Sequence, residues 1–143
     1  VPVSELTGKT VGLYFSAHWC LPCRGFTPKL AEVYNKLKQK GESFEIVFLS
    51  RDRDPKAFEE YHASMPWLAL PFKDKVEEDL SSYFHVEEIP SVVIIGPDGK
   101  TVTTDAKDIV SVHGVKAYPF TYSRLIELET EKWFDTHAER GEN

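Results

Sequence analysis

Cys20 and Cys23 are the only cysteines in a chain of 143 residues, with Leu21 and Pro22 between them. A Cys-x-x-Cys pair can exchange disulfides, supply half of a zinc site, or pack as two small apolar side chains. A structural zinc site takes four Cys or His ligands as a rule. No second cysteine pair or closely spaced histidine pair accompanies this one, so His62 and His85 would have to be brought in separately. Inert packing accounts neither for Trp19 directly before the pair nor for Pro22 inside it. Thiol exchange is the favoured reading, with the other two left open.

The elements around the pair decide what its two members can do. "TVGLYFSA", residues 10–17, is a short apolar, aromatic-rich run of the kind that forms a buried strand. After the cysteines, Phe26, Leu30, Val33 and Leu37 form one stripe of a helix that stops at Gly41. The pair therefore falls where a strand hands over to a helix. The first cysteine then sits at the helix N-terminus, where unpaired N–H groups and the helix dipole favour a thiolate. Cys20 is the expected nucleophile. Cys23, one turn into the helix and more buried, is expected to attack the mixed disulfide formed at Cys20. Pro22 fixes a dihedral in the first turn and removes an N–H that would be unpaired there. Trp19 is predicted to lie on the rim, shielding the sulfur and offering apolar surface to a partner protein.

"SFEIVFLS", Ser43 to Ser50, reads as a second buried strand, and Asp54 with Pro55 as the cap and first residue of a helix over "KAFEEYHAS". "MPWLALPF" is a short apolar run with a proline at either end, and "KVEEDLSSYF" places Val76, Leu80 and Phe84 at helical spacing. "SVVIIGPDGKTVTT" is a hairpin turning at Pro97-Asp98-Gly99. The last long segment predicts an amphipathic helix laid on the sheet through Tyr122, Leu125, Ile126 and Trp133. The order implies an α/β fold, a central mixed sheet with helices on both faces.

Seventeen Lys and Arg against 23 Asp and Glu give a formal charge of −6, and no basic block is present to neutralise several phosphates. Nucleic acid is not an expected partner. No apolar stretch nears the roughly 20 residues of a membrane span, so no membrane partner is expected either. The chain fits one domain of ordinary size. Its start at Val1 and its polar end, "HAERGEN", lead to the expectation that 1–143 is a single domain excised from a longer chain. Two cysteines this close cannot staple distant parts of a fold, which makes a reducing compartment the expected setting.

Four stretches carry a family resemblance: "GLYFSAHWCLPCRGFTPKL" (Gly12 to Leu30), "MPWLALPF" (Met65 to Phe72), "VEEIPSVVIIGPDGK" (Val86 to Lys100) and "AYPFT" (Ala117 to Thr121). In order and spacing they resemble the thioredoxin superfamily, and within it the tryparedoxin and nucleoredoxin branch, plant-type nucleoredoxins most closely. The resemblance runs from about Ser4 to Trp133. It implies a thioredoxin-like fold and the reduction of protein disulfides, with Cys20 attacking and Cys23 resolving. It also implies a cis bond between Ile89 and Pro90, opposite the cysteines, where the backbone of Ile89 would pair with a bound substrate strand. Pro28 matches a helix proline of the superfamily, with a structural role. Thioredoxins carry a buried Asp six residues before the first cysteine, where this chain has Tyr14. The tryparedoxin branch shares the tyrosine, a poor base with an ordinary pKa of about 10, and the proton acceptor for the resolving step is left unnamed.

Other residues receive blander expectations. His18 and Arg24 read as solvated, "RDRDPK" at Arg51 to Lys56 as a solvated loop, and Trp67 and Tyr118 as packed aromatics shaping the rim of the active surface. The expected activity is protein-disulfide reduction with antioxidant or regulatory consequences for clients. No cofactor or metal is expected to be bound, electrons coming from NADPH through a partner reductase. The expected location is the cytoplasm, with the nucleus suggested by the resemblance alone. The rival is a redox-sensing or chaperone-like binding module with little turnover.

Overall fold

In the computed structural model, residue 6 and residues 8–139 are described, with side chains as far as 135. The first strand, β1 (Thr10–Ser16), is buried along almost its whole length, as a central strand must be. Its neighbour β2 (Phe44–Ser50) runs parallel to it in the register Thr10 with Phe44 through Ser16 with Ser50. The other neighbour, β4 (Ser91–Ile95), is antiparallel, and β5 (Thr101–Thr103) extends it as a hairpin whose turn closes through Gly99 N–H to the Gly96 carbonyl, with Gly99 at φ +81°. A two-residue β3 (Leu68–Ala69) pairs in parallel with β2, so the sheet order is β3-β2-β1-β4-β5.

The period-two alternation of the strands divides the core between the two faces. Tyr14, Phe44, Ile46, Phe48, Val92 and Ile94 point to one face, covered by α1 (Leu21–Gln39) through Phe26, Leu30, Val33 and Leu37 and by Tyr61 of α2 (Pro55–His62). Val11, Phe15, Val47, Leu49 and Val93 point to the other, covered by Leu80 of α3 (Lys75–Tyr83) and by Phe84 and Val86 beyond it. The expected mixed sheet with helices on both faces is thus observed. The helix signals also hold: Asp54 accepts from the Ala57 N–H at 2.8 Å with Pro55 next, and Gly41 follows α1 at φ +76°.

Three expectations need correction. The sequence order lacked α4 (Ala106–His113) and the 3₁₀ turn Gly114–Ala117 that follows it, although Ala106, Ile109, Val110 and His113 have helical spacing. Ala106 and Val110 complete the α1 side of the core. The terminal helix α5 (Tyr122–Glu139) buries Leu128 and leaves Tyr122, Ile126 and Trp133 exposed. Its first turns dock on the segment after α4, with Arg124 Nε donating to the Lys116 carbonyl at 2.8 Å, so of the stripe predicted for the sheet only Leu125 is half-buried. Trp67 and Tyr118 are packed, but not at the active rim. Trp67 meets Tyr14 and Tyr34 edge-on inside the core, and Tyr118 packs on Phe44, at the opposite end of the sheet from the cysteines. A second cis bond, Tyr118–Pro119, had no sequence signal of its own. The start of the resemblance near Ser4 and the end of the polar tail lie outside the described residues.

Phe48 is fully buried and touches Tyr14, Phe58, Tyr61 and His62. Phe48→Ala should cost about 3–5 kcal/mol of stability, read as a shift in urea midpoint at unchanged slope.

Candidate active site

Helix α1 begins against the end of β1, and its first N–H groups need acceptors from outside the helix. Cys20 takes the N-cap position, with extended backbone at φ −89°, ψ 109°, and its Sγ accepts from the Cys23 N–H at 3.3 Å. Pro22 occupies the first turn, and no acidic side chain is present there to compete for the helix field. Cys20 and Cys23 are joined as a disulfide. Cys20 keeps 7% of its surface exposed and Cys23 none. The bond between Ile89 and Pro90 is cis, and the Ile89 carbonyl oxygen lies 3.8 Å from Cys20 Sγ. Pro22, Ile89 and Pro90 border one cleft of about 450 Å³ between the start of β4 and the N-terminus of α4. Cys20, Cys23, Pro22, Ile89 and Pro90 are therefore gathered at one place. Trp19 stands on the other flank, 52% exposed, with its indole N–H donating to the Arg51 carbonyl at 3.1 Å and the Arg53 guanidinium over its ring. Leu21, not singled out in the sequence, is exposed between the cysteines.

Two expectations about the surroundings are overturned. In the stretch "RDRDPK", Arg51 and Asp52 form a strap rather than a solvated loop, while Arg53 to Lys56 are exposed. Because β1 and β2 end in register, the residue after β2 meets the end of β1, and the Arg51 N–H donates to the Ser16 carbonyl at 2.9 Å. The buried Asp52 carboxylate accepts from the His18 N–H at 2.7 Å and from Ser50 Oγ at 2.8 Å. The Arg51 guanidinium reaches the Val86 carbonyl at 2.7 Å and Ser81 Oγ at 3.1 Å. His18 is not a free surface histidine either, since its ring stacks on Tyr61 at 5.5 Å. Arg24 is exposed, as expected.

Beneath Cys23, four hydroxyls close a ring that the sequence did not reveal. Tyr14 shares a hydrogen bond with Thr27 at 2.6 Å, Thr27 with Tyr61 at 2.6 Å, Tyr61 with Ser16 at 2.8 Å, and Ser16 donates to Tyr14 at 3.2 Å. All four residues are buried. Thr27 also donates to the Cys23 carbonyl at 2.9 Å, and Tyr14 does so at 3.3 Å. Burial holds the Tyr14 phenol well above the ordinary tyrosine value, so it stays protonated and is not the base that accepts a thiol proton. Among the described residues no group of three or more His, Cys, Asp or Glu is placed to hold a metal ion, and no helix is long and apolar enough to cross a membrane.

A thioredoxin-like family model matches residues 8–101 of this chain. The chain belongs to the thioredoxin-like family. It is 54% identical over 131 residues to the probable nucleoredoxin 1 of Arabidopsis thaliana, covering 92% of this chain and 23% of that protein. It is 37% identical over 127 residues to nucleoredoxin of Homo sapiens, covering 87% of this chain and 29% of the relative. The chain spans about a quarter to a third of the length of the curated relatives it matches. Tryparedoxin from Trypanosoma brucei superposes with a TM-score of 0.78 at 43% identity, over 85% of either chain. This thioredoxin-like chain is thus a redox protein of the nucleoredoxin and tryparedoxin branch, with Cys20 and Cys23 as its Cys-x-x-Cys pair. Proteins of the family act on disulfide-containing substrates.

The tyrosines give this domain a defined response to alkali. Tyr14 is raised by burial, and Tyr34 is pushed up to about 12 by burial and by the adjacent Glu45 carboxylate. In the unfolded chain both ionise near pH 10, while the folded protein keeps their protons, so stability is full below pH 10 and falls as pH rises from 10 toward 12. Urea unfolding between pH 8 and pH 12 should show that decline, and Tyr14→Phe should make it shallower.

Proposed function

We propose that this domain reduces protein disulfides by dithiol exchange, with Cys20 as attacking thiolate and Cys23 as resolving thiol. The observation that carries the reading is the inequality of the two sulfurs: Cys20 Sγ accepts an N–H at the start of α1 and keeps a window to solvent, while Cys23 is sealed. A thiolate at Cys20 attacks one client sulfur, and the other leaves with the electron pair of the broken bond. Cys23 then gives up its proton and attacks Cys20 Sγ. The client sulfur is expelled, two electrons have passed to the client, and the domain is left with the Cys20–Cys23 disulfide.

The client segment fits as an added strand against the Ile89 backbone, which sets its sulfur beside Cys20. Exposed Trp19 and Leu21 supply apolar contact on either side of Cys20. An NADPH-dependent reductase acting on the same disulfide restores the dithiol, with no cofactor held by the domain itself. A reducing compartment, the cytoplasm and with it the nucleus, suits that cycle. Regulation of client proteins and protection against oxidation are its consequences.

Insulin reduction by dithiothreitol tests the reading. The native domain should advance the onset of turbidity severalfold, Cys20→Ser should abolish the effect, and Cys23→Ser should hold clients through Cys20 as complexes released by reductant. No acceleration by the native domain, or trapping by Cys20→Ser in place of Cys23→Ser, would refute it. Acceleration that survives replacement of both cysteines would point to the binding-module alternative.

A further inference from the structure

One wall of the client cleft is irregular chain. Between the end of α3 at Tyr83 and the start of β4 at Ser91 the backbone forms neither helix nor strand, yet Ile89 and Pro90 stand at its far end, opposite Cys20. Two bonds fix the middle of this segment, both at Val86. The Val86 N–H donates to the Ser81 carbonyl at 2.9 Å, and the Val86 carbonyl accepts from the Arg51 guanidinium at 2.7 Å. Three residues further on, the Ile89 carbonyl oxygen lies 3.8 Å from Cys20 Sγ, and the Ile89 side chain packs on Ala17, Cys20 and Cys23.

Arg51 is itself held in a fixed orientation. Its Nη2 also donates to Ser81 Oγ at 3.1 Å, and its Nε lies 3.5 Å from Glu77 Oε1, which accepts from Ser81 Oγ at 3.0 Å. The planar guanidinium therefore bridges two side chains of α3 and a main-chain oxygen beyond them, an arrangement that a lysine ammonium copies only in part. Through its own backbone Arg51 serves the opposite wall. The Arg51 N–H donates to the Ser16 carbonyl at 2.9 Å, and the Arg51 carbonyl accepts the Trp19 indole N–H at 3.1 Å. One residue is bonded to both sides of the cleft.

We propose that Arg51 is a positioning residue for the client strand, and that by holding the Val86 carbonyl it makes the domain prefer disulfides carried on extended polypeptide to small free disulfides. This rests on the dithiol reading given above and deepens it by naming the group that sets the receiving edge. A strand added to the Ile89 backbone is recognised through main-chain hydrogen bonds, whose geometry fails when the template drifts. A small disulfide makes no such pairing and needs only the solvent window at Cys20. Replacing the Arg51 side chain frees the Val86 segment and leaves the backbone bonds to Ser16 and Trp19, so the setting of Cys20 is kept.

Two disulfides of different kind test the role. Reduced domain is mixed with excess insulin, and oxidation of its thiols is followed by acid quench and alkylation. The same protein is mixed with 5,5′-dithiobis(2-nitrobenzoate) in stopped flow, where attack by Cys20 releases the first equivalent of thionitrobenzoate. Arg51→Met keeps an unbranched stem and removes every donor. Its rate constant with insulin should fall about tenfold, while the first thionitrobenzoate phase stays within about twofold of native. Arg51→Lys, which can still donate one bond to the Val86 carbonyl, should lie between Arg51→Met and native with insulin. If Arg51→Met does not fold, Glu77→Ala carries the test: it removes the oxygen shared by Arg51 Nε and Ser81 Oγ and should slow the insulin reaction alone, by about threefold. Slowing of both reactions by the same factor, or of neither, overturns the positioning role and leaves the dithiol reading standing. A native domain that reacts with the small disulfide and not with insulin overturns both.

Discussion

The arrangement depends on the hydrogen bond between the Cys23 N–H and Cys20 Sγ, because it is where the needs of a helix and of a reactive sulfur coincide. A helix start leaves N–H groups without partners, and an oxygen side chain usually supplies the acceptor. Here the acceptor is sulfur. A cap made by a thiol is weak and a cap made by a thiolate is strong, so the helix itself favours ionisation at Cys20. The helix dipole acts in the same direction. The start of α1 cannot drift, because Phe26, Leu30, Val33 and Leu37 lock the helix to the sheet.

Holding the sulfur requires holding the loop that leads to it, and that loop has little regular structure of its own. Ala17 to Trp19 connect β1 to α1 and are fastened from outside, by Arg51 and Asp52. Those residues are in place because β1 and β2 are parallel and end together at Ser16 and Ser50. The cost of burying Asp52 is offset in part by its two donors, the His18 N–H and Ser50 Oγ. Arg51 extends the brace to the segment before β4 through the Val86 carbonyl, which ties the cysteine side of the cleft to the Ile89–Pro90 side. The two walls are set by one strap.

What the sequence made legible was what depends on local pattern. The stripe on α1, the cap at Asp54, the hairpin at Gly99 and the unequal burial of the cysteines all follow from spacing and residue type. What it hid depends on neighbours distant in the chain. Thr27 and Tyr61 are 34 positions apart, and nothing in either residue's surroundings announces that their hydroxyls meet at 2.6 Å. Asp52 lies in a run of alternating charge that is indistinguishable from a solvated loop until the register of β1 and β2 is known. The terminal helix failed differently. Tyr122, Leu125, Ile126 and Trp133 make a coherent stripe, but the helix buries Leu128 and half-buries Leu125, and only the position of the segment after α4 selects that side. Helix α4 was legible and was missed, its spacing hidden among the charges of "TTDAKDIVSVHG".

The two halves of the disulfide are served by different physics. At Cys20 the fold supplies an electrostatic bias, an open helix end that favours negative charge. At Cys23 it supplies no charge at all. Burying a carboxylate beside Cys23 would cost several kcal/mol unless donors surrounded it, as Lys38 and Tyr34 surround Glu45. Among the described residues, the polar side chains gathered beneath Cys23 are the neutral hydroxyls of Tyr14, Ser16, Thr27 and Tyr61. Neutral hydroxyls that satisfy one another enter a core far more cheaply than an ion does. A tyrosine where thioredoxins have an aspartate is on this view one member of a neutral set rather than a lost base. Burial raises its pKa and keeps it protonated across the range in which thiols titrate.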